Sequence, residues 1–329
     1  MADSALRTKL RNINVLPIFK TNHTPVTRIS SRSLPRCLIS LLCCLIGAGS
    51  VQADNASESA ATSAMSLRAK YGELDKKLSN NSFKRPLYLD SAETTTHLKG
   101  DIFALVNYPI STVNAALNDA THWCDVLILH LNTKYCHAAP SQSSSVLSVS
   151  IGKKFYEPLE HAHPVEFLYR AASTTSEYFN ITLAAKKGPM GTSDYRILLE
   201  AVSIPGGKTF LHLTYSYAYG FLGQLAMQGY LATVGSGKVG FTSSGTQPNG
   251  QPNYIGGVRG VVERNTMRYY LAIDAYLGAL VAPPQEQFEK RIQDWFSYTE
   301  QYSRQLHEVD RASYLGMKRN EYLRMQSAP

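Results

Sequence analysis

The 26 residues from Asp194 to Tyr219 read DYRILLEAVSIPGGKTFLHLTYSYAY, and their alternation decides the fold class. Tyr195, Ile197, Leu199 and Ala201 share one side of an extended chain, with Arg196 and Glu200 on the other. Leu211, Leu213, Tyr215 and Tyr217 repeat the pattern opposite His212, Thr214 and Ser216. A period of two is the mark of a strand with one buried face. Between the two runs, Pro205-Gly206-Gly207 supplies a fixed and then a permissive backbone, so the strands form a hairpin.

Upstream, three more runs alternate in the same way: Leu147 to Lys154, Val165 to Ala171 and Tyr178 to Ala185. Val165, Phe167, Tyr169 and Ala171 share one side, Glu166 and Arg170 the other, and Lys187-Gly188-Pro189 marks a second turn. Five such strands predict an antiparallel sheet with one apolar, aromatic face and one solvated face. Charged pairs such as Arg170, Arg196, Glu166 and Glu200 then belong to the outer face. Before these strands come Pro86 to Ala92 and Leu98 to Tyr108, also strand-like. Short helices follow from Ser111, as cap, to Leu117, and from Thr121 to Leu127. After them lie an apolar segment, Phe221 to Val234, and a Gly-rich loop, Gly235 to Gly257. Gly257 to Leu280 reads as a long helix with a stripe of Val258, Val261, Val262, Tyr269, Ile273, Tyr276 and Leu280.

Two segments carry a resemblance: Leu98 to Leu117, LKGDIFALVNYPISTVNAAL, and Val261 to Leu280, VVERNTMRYYLAIDAYLGAL. With the strands between them, the order of elements over about Pro86 to Leu280 resembles the START / Bet v 1-like (helix-grip, SRPBCC) superfamily. The resemblance implies an α+β fold in which a curved antiparallel sheet wraps a long C-terminal helix. It also implies a cavity between them for a lipid or other apolar molecule. The bottom-up reading agrees, because an aromatic sheet face opposite a long helix is where an apolar pocket forms. The candidate ligand-binding residues are therefore Phe167, Tyr169, Tyr195, Ile197, Leu199, Leu213, Tyr215, Tyr217, Asn265, Tyr269 and Ile273.

The N-terminal segment changes the meaning of the charge. The 329 residues hold 33 Lys and Arg against 25 Asp and Glu, a net charge of +8. Residues Arg36 to Ala53, RCLISLLCCLIGAGSVQA, have the basic flank, short apolar run and small-residue end of a secretory signal. The run falls short of the about 20 apolar residues that a membrane span needs. Taking 1-53 as a signal peptide removes seven bases and one acid and leaves a nearly neutral protein, which argues against nucleic acid as a partner. Localisation is expected to be periplasmic or otherwise extracytoplasmic. There Cys124 and Cys136 are a candidate disulfide, worth roughly 3 kcal/mol by loop closure, provided the chain reverses near Asn132-Thr133.

Residues 54-85 are expected to be a linker followed by an amphipathic helix, with Leu67, Tyr71, Leu74 and Leu78 on its apolar side and Asn80-Asn81 at its end. The resemblance implies a START-like domain over residues 86-281, with 282-329 expected to be a helical extension. Its stripe of Phe288, Ile292, Trp295, Thr299, Tyr302, Leu306 and Val309 predicts a helix that packs back on the domain.

Sharper chemical motifs give way to plainer readings. Gly235 to Gly240 matches GxGxxG without a strand-to-helix context and reads as a loop. His161-Ala162-His163 near Glu157 and Glu160 lies between prolines and reads as a loop, not a metal site. No catalytic elbow, metalloprotease motif or cofactor fingerprint is present, so cofactors and metals are set at none. The expected function is a noncatalytic carrier of an apolar small molecule or lipid. The alternatives are a cyclase/aromatase-like enzyme on the same scaffold, and an envelope structural or adaptor protein. Expected contacts are a peripheral membrane surface and a protein partner docked through Trp295, Phe296 and Tyr302.

Overall fold

The alternating runs pair into an eight-stranded antiparallel sheet in the computed structural model of the chain, which describes residues 50–139, 145–233 and 235–327. In chain order the elements are α1 (Ser50–Ser79), β1 (Leu87–Glu93), β2 (His97–Val106), α2 (Ile110–Leu117), α3 (Ala120–Leu127), β3 (Thr133–Ala139) and β4 (Ser145–Ile151). Then come β5 (His163–Thr174), β6 (Tyr178–Lys187), β7 (Thr192–Ile204), β8 (Lys208–Tyr219), α4 (Phe221–Ala232), β9 (Ser243–Thr246) and β10 (Pro252–Tyr254). The chain continues with α5 (Gly257–Ala279), α6 (Pro284–Glu300), α7 (Ser303–Leu306) and α8 (Arg311–Ser327). The sheet order is β1-β2-β8-β7-β6-β5-β4-β3. Helix α5 lies against β1, β2 and β8 on the inner face, which is the helix-grip arrangement.

Local chemistry sets the boundaries. The β7–β8 turn is Pro205-Gly206-Gly207, with φ +84° and +68° at the two glycines, values that side chains with a Cβ disfavour. Asn81 ends α1 by donating from Nδ2 to Lys77 O and Leu78 O at 3.0 and 2.9 Å. Helix α3 is capped by Asp119, which accepts from Thr121 N at 2.7 Å. Ser111 does not cap α2; the helix starts one residue earlier, with Pro109 in the cap position.

Cys124 of α3 and Cys136 of β3 form the expected disulfide, with Cα atoms 5.2 Å apart. Thr133 N donates to His130 O in the reversal that brings them together. Strand β3 itself has no clear apolar alternation, because its second residue, Lys134, is buried.

Three expectations are corrected. Residues 54 to 63 are not a linker but part of α1, a stretch rich in Ala and Ser that holds neither Gly nor Pro to break a helix. The outer face of the sheet is not wholly solvated: Leu67, Leu74 and Leu78 of α1 pack on Tyr178, Val202, Ile204 and Phe210. The extension is three helices rather than one, and its docking face is occupied within the chain. Trp295 stacks on Tyr314 at 4.9 Å and donates to Arg268 O, while Tyr302 donates to Phe83 O. The expected signal segment lies outside the described residues except for Ser50–Ala53, which are helical.

Beside α1, the outer face carries a polar network centred on His212. Its ring bridges Asp101 at 2.9 Å and Glu200 at 3.1 Å, and it stacks on Phe103 at 4.2 Å. Burial alone would lower the His212 pKa, but the hydrogen bonds to the two carboxylates outweigh it and raise it. Its contribution to stability is therefore full below the unfolded pKa of about 6.5 and lost as pH rises through the higher folded value. Urea midpoints measured across this range should decline on the alkaline side in the wild type. In His212→Asn that decline should be absent.

Candidate functional site

A cavity of about 270 Å³ sits where the sheet, α4 and α5 meet. Its floor is Tyr195 of β7 with Tyr215 and Tyr217 of β8, side chains that strand alternation places on the inner face. Tyr195 and Tyr217 stack at 5.2 Å with 13° between their planes, and Tyr215 lies 5.6 Å from Tyr217. Burial raises all three phenols above their ordinary values, so they stay neutral and offer ring faces. Helix α5 supplies one wall through Val261, Arg264, Asn265 and Arg268. Gly223, Met227 and Tyr230 of α4 cover it, together with Pro189 and Met190 from the β6–β7 turn. The end beyond is closed by Asn132 and Lys154.

That end is cationic. Glu308, between α7 and α8, accepts from Lys154 Nζ at 2.6 Å and Arg268 Nη2 at 2.7 Å, and Lys238 Nζ lies 3.7 Å away. Arg268 is buried, and desolvation lowers its pKa despite the pull of Glu308. Lys154 is lowered as well, by burial and by the charge of Arg268. Arg264, 1 % exposed, donates from Nη1 to Val239 O at 3.2 Å, while its Nη2 is buried with no acceptor among the described residues. Tyr230 Oη accepts from Lys154 Nζ at 3.2 Å. Burial would raise that phenol, but Lys154 and Arg264 bring it below its ordinary value.

Of the residues singled out from the sequence, Tyr195, Tyr215, Tyr217 and Asn265 line the cavity. Tyr269 stands one ring behind, 5.1 Å from Tyr215. Phe167, Tyr169, Ile197, Leu199, Leu213 and Ile273 are buried in the packed core and are not part of the lining. Sequence reasoning passed over Lys154, Arg264 and Tyr230. Its available signal was two arginines four apart, Arg264 and Arg268, on a helix long enough to be central. Like charges at that spacing repel, so their pairing on a buried helix asks for a counter-charge.

A larger hollow of about 580 Å³ opens between α2, α3, α6 and α8. Its charged groups are matched, with Arg291 on Asp125 at 2.8 Å, and it presents no comparable excess. His161 and His163 are exposed, and among the described residues no group of three or more His, Cys, Asp or Glu is placed to hold a metal.

The architecture, an eight-stranded antiparallel sheet gripping the long helix α5, is the helix-grip arrangement expected from the order of elements in the sequence. No protein-family model and no curated protein matches the chain. Among solved structures it is similar to human StAR-related lipid transfer protein 5, at 9% identity over 54% of this chain and 90% of that one, with TM-score 0.28. It is also similar to the Zhui aromatase/cyclase from Streptomyces, at 10% identity, 66% and 96% coverage and TM-score 0.29. A truncated norcoclaurine synthase from Thalictrum flavum follows at 11% identity, 43% and 91% coverage and TM-score 0.29. Likenesses this distant carry no argument about ligand or reaction, which must come from the site itself.

Proposed function

We propose that this protein is an exported, noncatalytic carrier that holds an apolar small molecule in the cavity between β7, β8, α4 and α5. The supporting observation is the stacked Tyr195–Tyr217 floor beneath Met190 and Met227, an apolar body of the cavity with its polar and charged groups gathered at one end. At about 270 Å³ the space lies near the lower end of ligand pockets and suits one ring system or one short chain, not a two-chain lipid. Met190, Phe221 and Leu225, 70 %, 73 % and 49 % exposed, lie on the cover or beside it, where the ligand would enter from an apolar surface such as a membrane. The disulfide accords with an oxidising location.

The test is a fluorescence titration with N-phenyl-1-naphthylamine, a neutral apolar dye, on wild type and Met227→Trp. Filling the cavity with the indole should weaken binding at least tenfold with no loss in melting temperature. Equal binding by both proteins would place the dye elsewhere and sink the cavity reading.

The converging Tyr230, Lys154 and Asn265 favour a second reading, a cyclase-like enzyme whose lowered Tyr230 phenol moves a proton. Such an enzyme would convert a ligand retained from its own host, and Tyr230→Phe would stop the conversion while leaving binding intact.

A further inference from the structure

The charges around the cavity do not balance. Lys154, Lys238 and Arg268 share a single carboxylate, Glu308, and Arg264 pairs with none among the described residues. Elsewhere buried cations are more nearly matched: Arg85 with Asp274, Arg291 with Asp125, and Lys134 and Lys318 sharing Glu321. A buried guanidinium with an unused donor is costly, and structures keep such groups where something else completes them. Arg264 Nη2 is such a donor, on a side chain that lines the cavity and has no ion-pair partner among the described residues. Nε of Arg85, Arg268 and Arg291 also lacks an acceptor, but each of those guanidinium groups is paired with a carboxylate. Opposite it stand the Tyr195 and Tyr217 rings and Met227, which offer no charge.

We infer that the ligand is an amphiphile with a single apolar body and an acidic group, a carboxylate, sulfonate or phosphate, and that the acidic group is held by Arg264 with Lys154 and Arg268. This rests on the carrier reading above and narrows it. The body lies on the tyrosine floor, and the anion replaces the acceptor that Arg264 lacks. Glu308 does not fill that role: it pairs with Lys154, Arg268 and Lys238 and makes no hydrogen bond or ion pair with Arg264. Hydrogen bonds between charged partners are the stronger class and fix orientation as well as affinity.

A matched pair of dyes separates this inference from the reading beneath it. N-phenyl-1-naphthylamine and 1-anilinonaphthalene-8-sulfonate share one body and differ by the sulfonate. The wild type should bind the sulfonate about tenfold more tightly than the neutral dye. Arg264→Gln should lose about that factor for the sulfonate and change the neutral dye less than twofold, and Arg264→Lys should recover most of it. Melting temperatures of both variants check that they fold. Inorganic phosphate alone, at millimolar concentration, should leave the dye bound; its displacing the dye would mean that a free anion suffices and would overturn the amphiphile. Equal affinity for the two dyes, or an equal loss of both in Arg264→Gln, would overturn the anion site while leaving the carrier reading standing. Binding of neither dye would overturn both.

Discussion

Replacing Glu321 by Gln should lower stability by about 3–5 kcal/mol, the usual effect of removing one side of a buried charge pair. Both oxygens of Glu321 are used: Lys134 Nζ lies 3.1 Å from one and Lys318 Nζ 2.7 Å from the other, and both lysines are fully buried. Lys318 also donates to His130 O and Thr133 O, so the cluster ties α8 to the start of β3. Burial pushes the Lys318 pKa down to about 8 against the pull of Glu321. Below that value both folded and unfolded states carry the proton, and the burial cost is felt in full. As pH rises from about 8 toward 10.4, the folded state gives up its proton first, so this group makes the protein more stable with rising pH. In Glu321→Gln the same rise should begin at lower pH. Urea midpoints between pH 6 and 10 measure both effects. A loss under about 1 kcal/mol at neutral pH would show that the two lysines do not depend on this carboxylate.

The second large effect is expected at Gly100 of β2. A Cβ placed there would overlap the Thr266 hydroxyl of α5 and stand 3.1 Å from Thr266 Cβ. The gripping helix therefore rests directly on the strand backbone, and any side chain at position 100 must push it away. Gly100→Val should cost about 3 kcal/mol, the upper range for overpacking, and Gly100→Ala about 1–2 kcal/mol. Since the overlap is with one hydroxyl, Thr266→Ala combined with Gly100→Ala should recover part of that loss. Additive losses in the double variant would show that the contact is not the cause.

Much of this architecture was legible in the sequence for a simple reason: a half-buried strand writes its burial as alternation. The β7–β8 hairpin and α5 could be placed from their patterns alone. The covering of the outer face by α1 was not, although Val202 and Phe210 broke the alternation at that end of the hairpin. The candidate site was legible by half. Its tyrosines follow from strand parity, whereas its charges do not, because Lys154, Arg264, Arg268 and Glu308 carry the residue types of solvated surface. A buried ion pair is two exceptions at once, and each hides the other until both are seen together. Strand β3 was missed for the same reason, with a lysine where an apolar residue was expected.

The place of Glu308 and Glu321 in the chain bears on the order in which the molecule can mature. Glu308 and Glu321 follow the lysines they neutralise by 154 and 187 residues, Lys154 pairing with Glu308 and Lys134 with Glu321. Strand β2 pairs early with β1 on one edge, but its other edge waits for β8, about a hundred residues later. A nascent chain that has not yet reached these acids holds Lys134 and Lys154 without their carboxylate partners. Docking of α8 on the start of β3, a contact between segments far apart in the chain, is therefore expected to follow the pairing of neighbouring strands.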